Sequence, residues 1–289
     1  MIVEDKFGLR PVWDEIFGIY KVVAEICDRH GLRYYATDGT AIGAVRHKGY
    51  IPWDDDFDIS MPRPDYDKFI KIAKEELPSH LKFLNWQNTP EFFFLFGKVQ
   101  DCRKEHVLDV EKKVGHMLSN GIYIDIFPVD GYPTNRLECF WTKYSTVLPK
   151  CIIRFKCMKL SQQTSYKGRL AWLVGCLVSS LVPWVSASQC MAFCERRLRL
   201  ADFNKCESTG RTCSSLTVFR RAPLEKSAWG RPTPHEFHDG TVMLPENYDA
   251  HLRNEYPGRP YMTMPPEEAR RPTHGYDWRC AWWFGPTKS

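Results

Sequence analysis

A run of aspartates is the most chemically distinctive feature of the sequence. Within IPWDDDFDIS, residues 51–60, four of the five positions from 54 to 58 are aspartates. Carboxylates this close together repel one another unless something compensates their charge. Three interpretations have to be separated, namely a solvated acidic turn, a calcium-binding loop and the metal platform of an enzyme.

A calcium-binding EF-hand loop does not fit this run. If Asp54, Asp56 and Asp58 were its alternating ligands, the sixth position would be Ile59, where the loop needs glycine. The last ligand would be Asp65 in place of the usual glutamate. The EF-hand interpretation is therefore rejected.

The end of the run has the pattern of a strand. Phe57 and Ile59 alternate with Asp56 and Asp58, which gives one apolar face and one face with two carboxylates. The apolar face argues against a solvated turn. Two like charges side by side on a strand are destabilising unless they are neutralised, and a divalent cation does this. The pattern predicts a metal-dependent phosphoryl or nucleotidyl transferase.

A third carboxylate is available in GIYIDIFPVDGYP, residues 121–133. Asp125 is the lone charge in an apolar strand pattern that ends at Pro128. Backbone amides could satisfy a buried aspartate here. Because the Asp56/Asp58 pair is present, we favour Asp125 as a third metal ligand.

The elements before the aspartates indicate how they are positioned. Apolar residues at helical spacing predict a helix over 9–30, and residues 32–37 alternate like a short strand. A short helix is predicted over 41–45, directly after Gly39 and Thr40. A glycine and a hydroxyl at a helix start can bind an anion, although they can also be a simple helix start.

The composition limits the class of protein. With 289 residues, 43% hydrophobic and 26% charged, the chain resembles an ordinary globular protein with a substantial core. The net charge of +5 is mild, which weakly supports anionic substrates and predicts no nucleic-acid partner. The eleven cysteines are scattered and no secretory start is visible, so we expect reduced thiols and a cytoplasmic location.

Two further segments leave alternatives open. The polar stretch with Cys206, Cys213, His235 and His238 fits no known zinc module by spacing, so a zinc site is the less favoured interpretation. The apolar segment 170–185 is short for a membrane span. We expect a buried helix pair there, with an interfacial helix and peripheral membrane association as the alternative.

Three segments together resemble the LicD family, which contains bacterial phosphocholine transferases and is related to fukutin-type ribitol-phosphate transferases. The signature is DGTAIGAVRHKGYIPWDDDFDISMPRPDYDKF, residues 38–69, and YIDIFPVDGYP resembles the second motif. Residues 243–274 resemble the closing motif. The resemblance covers roughly residues 9–135 and 236–275.

The resemblance implies an α/β (α+β), nucleotidyltransferase-like fold, with a mixed sheet flanked by helices and a helical C-terminal part. We predict a catalytic core at 1–135, a mainly helical region at 136–235 and a closing segment at 236–289. The implied reaction moves a phospho-alcohol, phosphocholine first, from a CDP-alcohol donor to a saccharide hydroxyl of a cell-surface glycan and releases CMP.

The resemblance and the residues together assign roles. Asp56 and Asp58 would hold Mg²⁺ or Mn²⁺, and Asp125 would complete the site and accept the proton of the attacking hydroxyl. Gly39 and Thr40 would cradle a phosphate. Further candidates for substrate binding are Arg46, Lys98, Trp53, Arg270 and His274.

Several of these candidates have a purely structural alternative. Arg46 could lie in a solvated turn, and Lys98 could be an edge-strand lysine whose amine reaches solvent. A choline head group requires aromatic faces, for which Trp53, Trp86, Trp278 and residues 92–94 are candidates. A nucleotide-sugar glycosyltransferase and a catalytically silent binding protein of the same fold are the alternative functions.

Overall fold

The computed structural model describes residues 5–89, 92–103, 122–160, 163, 165–211, 218–219, 221–258 and 260–272. The helices are α1 Arg10–Arg29, α2 Asp38–His47, α3 Arg63–Glu76, α4 Arg136–Tyr144, α5 Val147–Cys157, α6 Tyr166–Leu181, α7 Ala187–Leu198 and α8 Tyr248–Glu255. The strands are β1 Tyr35–Ala36, β2 Asp58–Pro62, β3 Leu81–Leu84, β4 Gly97–Asp101, β5 Tyr123–Gly131, β6 Ser208–Arg211, β7 Leu224–Glu225, β8 Thr233–Phe237 and β9 Gly240–Leu244.

Seven strands form one mixed sheet. Its central path runs β1-β2-β5-β4-β3, and β6 adds to the far end of β5 and pairs with β7. Strand β2 is parallel to β5, whereas the other pairings are antiparallel. The predicted α/β fold with a mixed sheet flanked by helices is confirmed.

One face of the sheet is the main core. Ile59 on β2, Val99 on β4 and Ile124 and Ile126 on β5 are fully buried and belong to one cluster with residues of α1 and α3. Because side chains alternate along a strand, the residues between them point to the opposite face. The carboxylates of β2 and β5 therefore lie away from the apolar core.

Helix α1 follows its sequence pattern closely. Its buried residues recur at helical spacing from Trp13 to Cys27, and Pro11 lies in its first turn. Gly31 follows the helix with a positive φ of 62°, a conformation that glycine adopts without steric cost. The observed range 10–29 agrees with the predicted range 9–30.

Two local predictions were right in the type of element and wrong in its bounds. The strand expected over 32–37 is regular only at Tyr35–Ala36, where it pairs with β2. Helix α2 begins at Asp38 and not after Thr40, because Thr37 is extended and ends the preceding segment. Gly39 and Thr40 therefore lie inside the first helical turn.

The region predicted as mainly helical contains both helices and strands. Helices α4 to α7 occupy residues 136–198, after which β6 and β7 return to the central sheet. The closing segment contains the β8–β9 hairpin and α8. Phe237, Val242 and Leu244 of the hairpin join the main core, so this segment packs onto the front half of the chain. Among the helices described, not one has the length and apolarity needed to cross a bilayer.

Candidate active site

Two aspartates lie side by side on the polar face of the sheet. Asp58 on β2 is the register partner of Asp125 on β5, and the amide of Asp125 donates to the carbonyl of Phe57 at 2.9 Å. In a parallel pair, register partners point to the same face. The carboxylates of Asp58 and Asp125 therefore lie next to each other on one face of the sheet.

The electrostatics of this face are unfavourable for bare carboxylates. Burial and the carboxylates of Asp56, Asp38 and Asp125 raise the pKa of Asp58 well above its usual value. Burial and the carboxylates of Asp56 and Asp55 do the same to the pKa of Asp54. A cation placed among these groups would remove the repulsion that raises both values.

Lys98 occupies a central position in this face. It is the register partner of Asp125 on β4, and its Nζ lies 2.8 Å from Oδ1 of Asp125. The amine also lies 3.3 Å from the ring centroid of Tyr123, and the residue is 6% exposed. The edge-strand interpretation of Lys98 is therefore wrong, because β4 lies between β3 and β5.

The pair with Lys98 also decides how Asp125 is held. Its carboxylate pairs with the ammonium group of Lys98. Asp125 is therefore not held by backbone amides alone. In the part of the chain that the structure describes, no group of three or more His, Cys, Asp or Glu side chains is arranged to hold a metal ion. Lys98 neutralises the carboxylate that we predicted as the third ligand.

Gly39 and Thr40 support the aspartates directly. The Oγ1 of Thr40 accepts a hydrogen bond from the amide of Asp58 at 2.9 Å. A Cβ atom on Gly39 would collide with the carboxylate of Asp54, so a larger residue here would force that side chain to move. Their predicted role in phosphate binding stays a prediction, because the contacts observed are to the aspartate loop.

Arg211 is a site residue that the sequence analysis missed. Its guanidinium pairs with both carboxylate oxygens of Asp38, and its Nη2 lies 3.4 Å from Oε2 of Glu255. It also stacks 4.7 Å from the ring centroid of Phe127. Because these acids surround it, the pKa of Arg211 is raised well above its usual value despite burial. The short polar strand STGR carried no motif that could have indicated this role.

Three of the predicted binding residues form one cluster beside the aspartate loop. Arg46 donates from Nη1 to the carbonyl of Tyr261 at 2.8 Å, and burial lowers its pKa to about 10. The guanidinium of Arg270 lies 5.9 Å from the ring centroid of Trp53. The solvated-turn interpretation of Arg46 is therefore wrong. His274 lies outside the described residues.

The aromatic candidates separate into two environments. Trp53 is buried in the main core and is approached by Arg270. Phe92 and Phe94 instead pack against Phe96. The rings of Phe96 and Phe127 are in contact, with their centroids 4.5 Å apart. Phe127 lies two residues after Asp125, on the same face of β5. Trp86 packs against this second cluster, whereas Trp278 lies outside the described residues.

The residues of the zinc alternative have other contacts. His238 pairs with Asp14 at 2.7 Å, and the ring of His235 packs edge-on against Tyr248. Cys206 is half-buried and reduced, and Cys213 lies outside the described residues. These contacts give no support for a zinc site.

His251 next to the Arg211 cluster provides a pH prediction. The ring is 1% exposed against Trp229, and burial and Arg211 lower its pKa to about 3. Above pH 6.5 the imidazole is neutral in the folded and unfolded chain, so no stability is lost there. Below pH 6.5 only the unfolded chain gains the proton, and the free energy of unfolding falls by about 1.4 kcal/mol per pH unit.

The variant His251→Phe tests this directly. Lowering the pH from 6.5 to 5 should reduce the free energy of unfolding by about 1.6 kcal/mol more in the wild type than in the variant, which lacks the titrating ring, and urea unfolding measures both. Parallel pH profiles for the two proteins would contradict a buried neutral His251.

Comparison with known proteins shows what the chain is similar to. Residues 31–160 match the family model described as LicD/FKTN/FKRP, nucleotidyltransferase domain. Over 256 residues the chain is 25% identical to the lipopolysaccharide cholinephosphotransferase LicD of Haemophilus influenzae. The aligned region covers 86% of this chain and 89% of that protein. The resemblance to the LicD family is confirmed.

Shorter similarities connect the chain to uncharacterized proteins of two rickettsiae. The identity is 37% over 60 residues with the Rickettsia typhi protein, or 21% of this chain and 19% of that one. It is 38% over 50 residues with the Rickettsia prowazekii protein, or 17% of this chain and 19% of that one.

Proposed function

We propose that this chain, which carries a LicD-family nucleotidyltransferase domain, transfers a phospho-alcohol from a CDP-activated donor to a saccharide hydroxyl of a cell-surface glycan. The observation that carries the proposal is the adjacent pair Asp58 and Asp125 on parallel strands, with Asp56 two residues before. Phosphocholine is the preferred cargo and a phospho-polyol the second, because a similar protein is named as a lipopolysaccharide cholinephosphotransferase.

The donor atoms on this face suit Mg²⁺ or Mn²⁺. All are carboxylate oxygens, which hard divalent cations prefer, and mutual repulsion already raises the pKa of Asp58. Asp56 and Asp58 would hold the ion, with Asp125, which pairs with Lys98 in this structure, as the third carboxylate. The bound ion would neutralise negative charge on the donor's diphosphate.

The chemistry of the remaining residues then follows. The saccharide oxygen attacks the phosphorus that carries the alcohol, the bond from that phosphorus to CMP breaks, and the hydroxyl proton passes to Asp125. Lys98 lies 2.8 Å from Asp125, where it can stabilise negative charge on a phosphate oxygen. Arg46 and Arg270, whose neighbours include Asp54 and Trp53, would bind the donor's phosphates.

The aromatic cluster beside Asp125 suits a quaternary ammonium group. Phe96 and Phe127 lie on the carboxylate face, and cations are attracted to aromatic faces within about 6 Å. This cluster lies beside the reacting carboxylates, whereas Trp53 lies in the core. Of the aromatic candidates, the phenylalanines are therefore the better choline site.

A donor panel tests the proposed function. The protein is incubated with Mg²⁺ and CDP-choline, CDP-ribitol, CDP-glycerol or UDP-glucose, with and without a lipopolysaccharide acceptor, and nucleotide release is measured. We expect CMP release from one CDP-alcohol that depends on the acceptor and stops with EDTA. Release of UDP from UDP-glucose, without any CMP release, would instead indicate a nucleotide-sugar glycosyltransferase.

A further inference from the structure

Helix α6 buries its small residues and exposes its large apolar ones, the reverse of a typical helix in a water-soluble domain. Its buried residues are the small ones, Gly168, Ala171, Gly175 and Ser179. They allow close packing on α5, where a Cβ on Gly175 would collide with the carbonyl of Cys151. A helix that packs in this way leaves its large side chains on the other face.

The outer face of α6 is a continuous apolar stripe. Its members recur three or four residues apart and are each between 50% and 80% exposed: Tyr166, Leu170, Leu173, Leu177, Leu181 and Trp184. This spacing places the five residues from Tyr166 to Leu181 along one side of the helix, and Trp184 follows three residues after the helix ends. The buried-pair expectation for segment 170–185 is therefore wrong for its large residues, which are exposed apolar surface that requires an explanation.

Charge around the stripe favours an anionic partner. Residues 136–185 contain eight Lys and Arg and a single Glu, a net charge of +7, so the rest of the chain carries −2. Lys159 before α6 and Lys167 in its first turn are exposed, and the first turn contains no acidic residue. Cations at a helix N-terminus oppose the helix dipole, and a bound anion compensates for this.

We propose that the outer face of α6 docks onto an anionic lipid bilayer. The stripe of leucines, with Tyr166 and Trp184 at its two ends, would enter the region between head groups and acyl chains. The neighbouring lysines would meet lipid phosphates. The helix has 16 residues, which suits lying on a bilayer and is too few to span one. This inference does not depend on which alcohol the enzyme transfers.

Vesicle co-sedimentation of the full chain tests the proposal. We expect binding to vesicles of phosphatidylcholine mixed with phosphatidylglycerol, and much weaker binding to phosphatidylcholine alone or in high salt. Leu177→Glu should weaken binding by about tenfold or more, because a buried leucine is lost to the interface. Leu200→Glu is the matched control, since Leu200 is 64% exposed and Leu177 66%.

The charge contribution is tested separately. The double variant Lys159→Glu/Lys167→Glu should lose at least about 25-fold in binding to anionic vesicles, because each basic residue contributes roughly fivefold and each substitution also adds a negative charge. The control Lys71→Glu/Lys82→Glu changes two exposed lysines outside residues 136–185 and should bind as the wild type does. Thermal unfolding should be the same for all variants.

Two results would overturn the proposal. Equal binding of wild type and Leu177→Glu, including no binding by either, would mean that the stripe does not contact lipid. A dimer in analytical ultracentrifugation that Leu177→Glu dissociates would instead assign the stripe to a second copy of the chain.

Discussion

Replacing Asp58 with Asn is expected to lower turnover by about 10³-fold or more, because the substitution removes a carboxylate that the proposed metal ion needs. The side chain is nearly isosteric, and Asp58 is surrounded by other carboxylates that raise its pKa. Removing one of these charges should leave the free energy of unfolding unchanged or slightly higher. Asp56→Asn should behave in the same way.

The readouts are CMP release at saturating Mg²⁺ and binding of Mn²⁺ measured by calorimetry. The matched control is Asp239→Asn, which removes an exposed carboxylate paired with Lys21 and should keep full turnover. An Asp58→Asn protein with normal turnover would contradict the metal platform.

Replacing Arg211 with Met is expected to lower the free energy of unfolding by about 3 kcal/mol, because it leaves the half-buried Asp38 without its cation and the buried Glu255 with Arg221 alone. Turnover should fall as well, since Asp38 lies in the first turn of α2 beside Asp58. Urea unfolding at pH 7 measures the first effect.

The control for this prediction is Arg253→Met, which breaks an exposed pair with Asp249 and should cost less than 1 kcal/mol. Adding Asp38→Asn to Arg211→Met should recover part of the lost stability, because it removes one of the stranded charges. Equal stability of Arg211→Met and wild type would contradict the buried network.

The positions of the aspartates were predictable because they depend on local patterns. Alternation around Asp58 and Asp125 fixed which side chains share a face, and register between β2 and β5 brought the two together. The predicted alternation of Asp56 did not hold, because β2 begins only at Asp58. Helix α1 was predictable for the same reason, since its apolar period and Gly31 are signals within the segment itself.

The partners of these carboxylates were not predictable from local patterns. Arg211 is 173 positions from Asp38, and no motif links them. Lys98 lies opposite Asp125 because of the register between β4 and β5, which no local pattern in either strand indicated. The apolar composition of α6 suggested a buried helix. The small residues form its packing face, which leaves the large apolar residues exposed.

The central claim is that the phosphorus bearing the alcohol moves to the saccharide, and labelling that atom tests it most directly. CDP-choline carrying ³²P only in the phosphate next to choline is incubated with the protein, Mg²⁺ and a lipopolysaccharide acceptor. The account predicts that label and choline enter the glycan together in equal amounts, while unlabelled CMP appears in the same amount. Label that remains in the nucleotide, or an acceptor that gains no phosphorus while the enzyme turns over another donor, would contradict it.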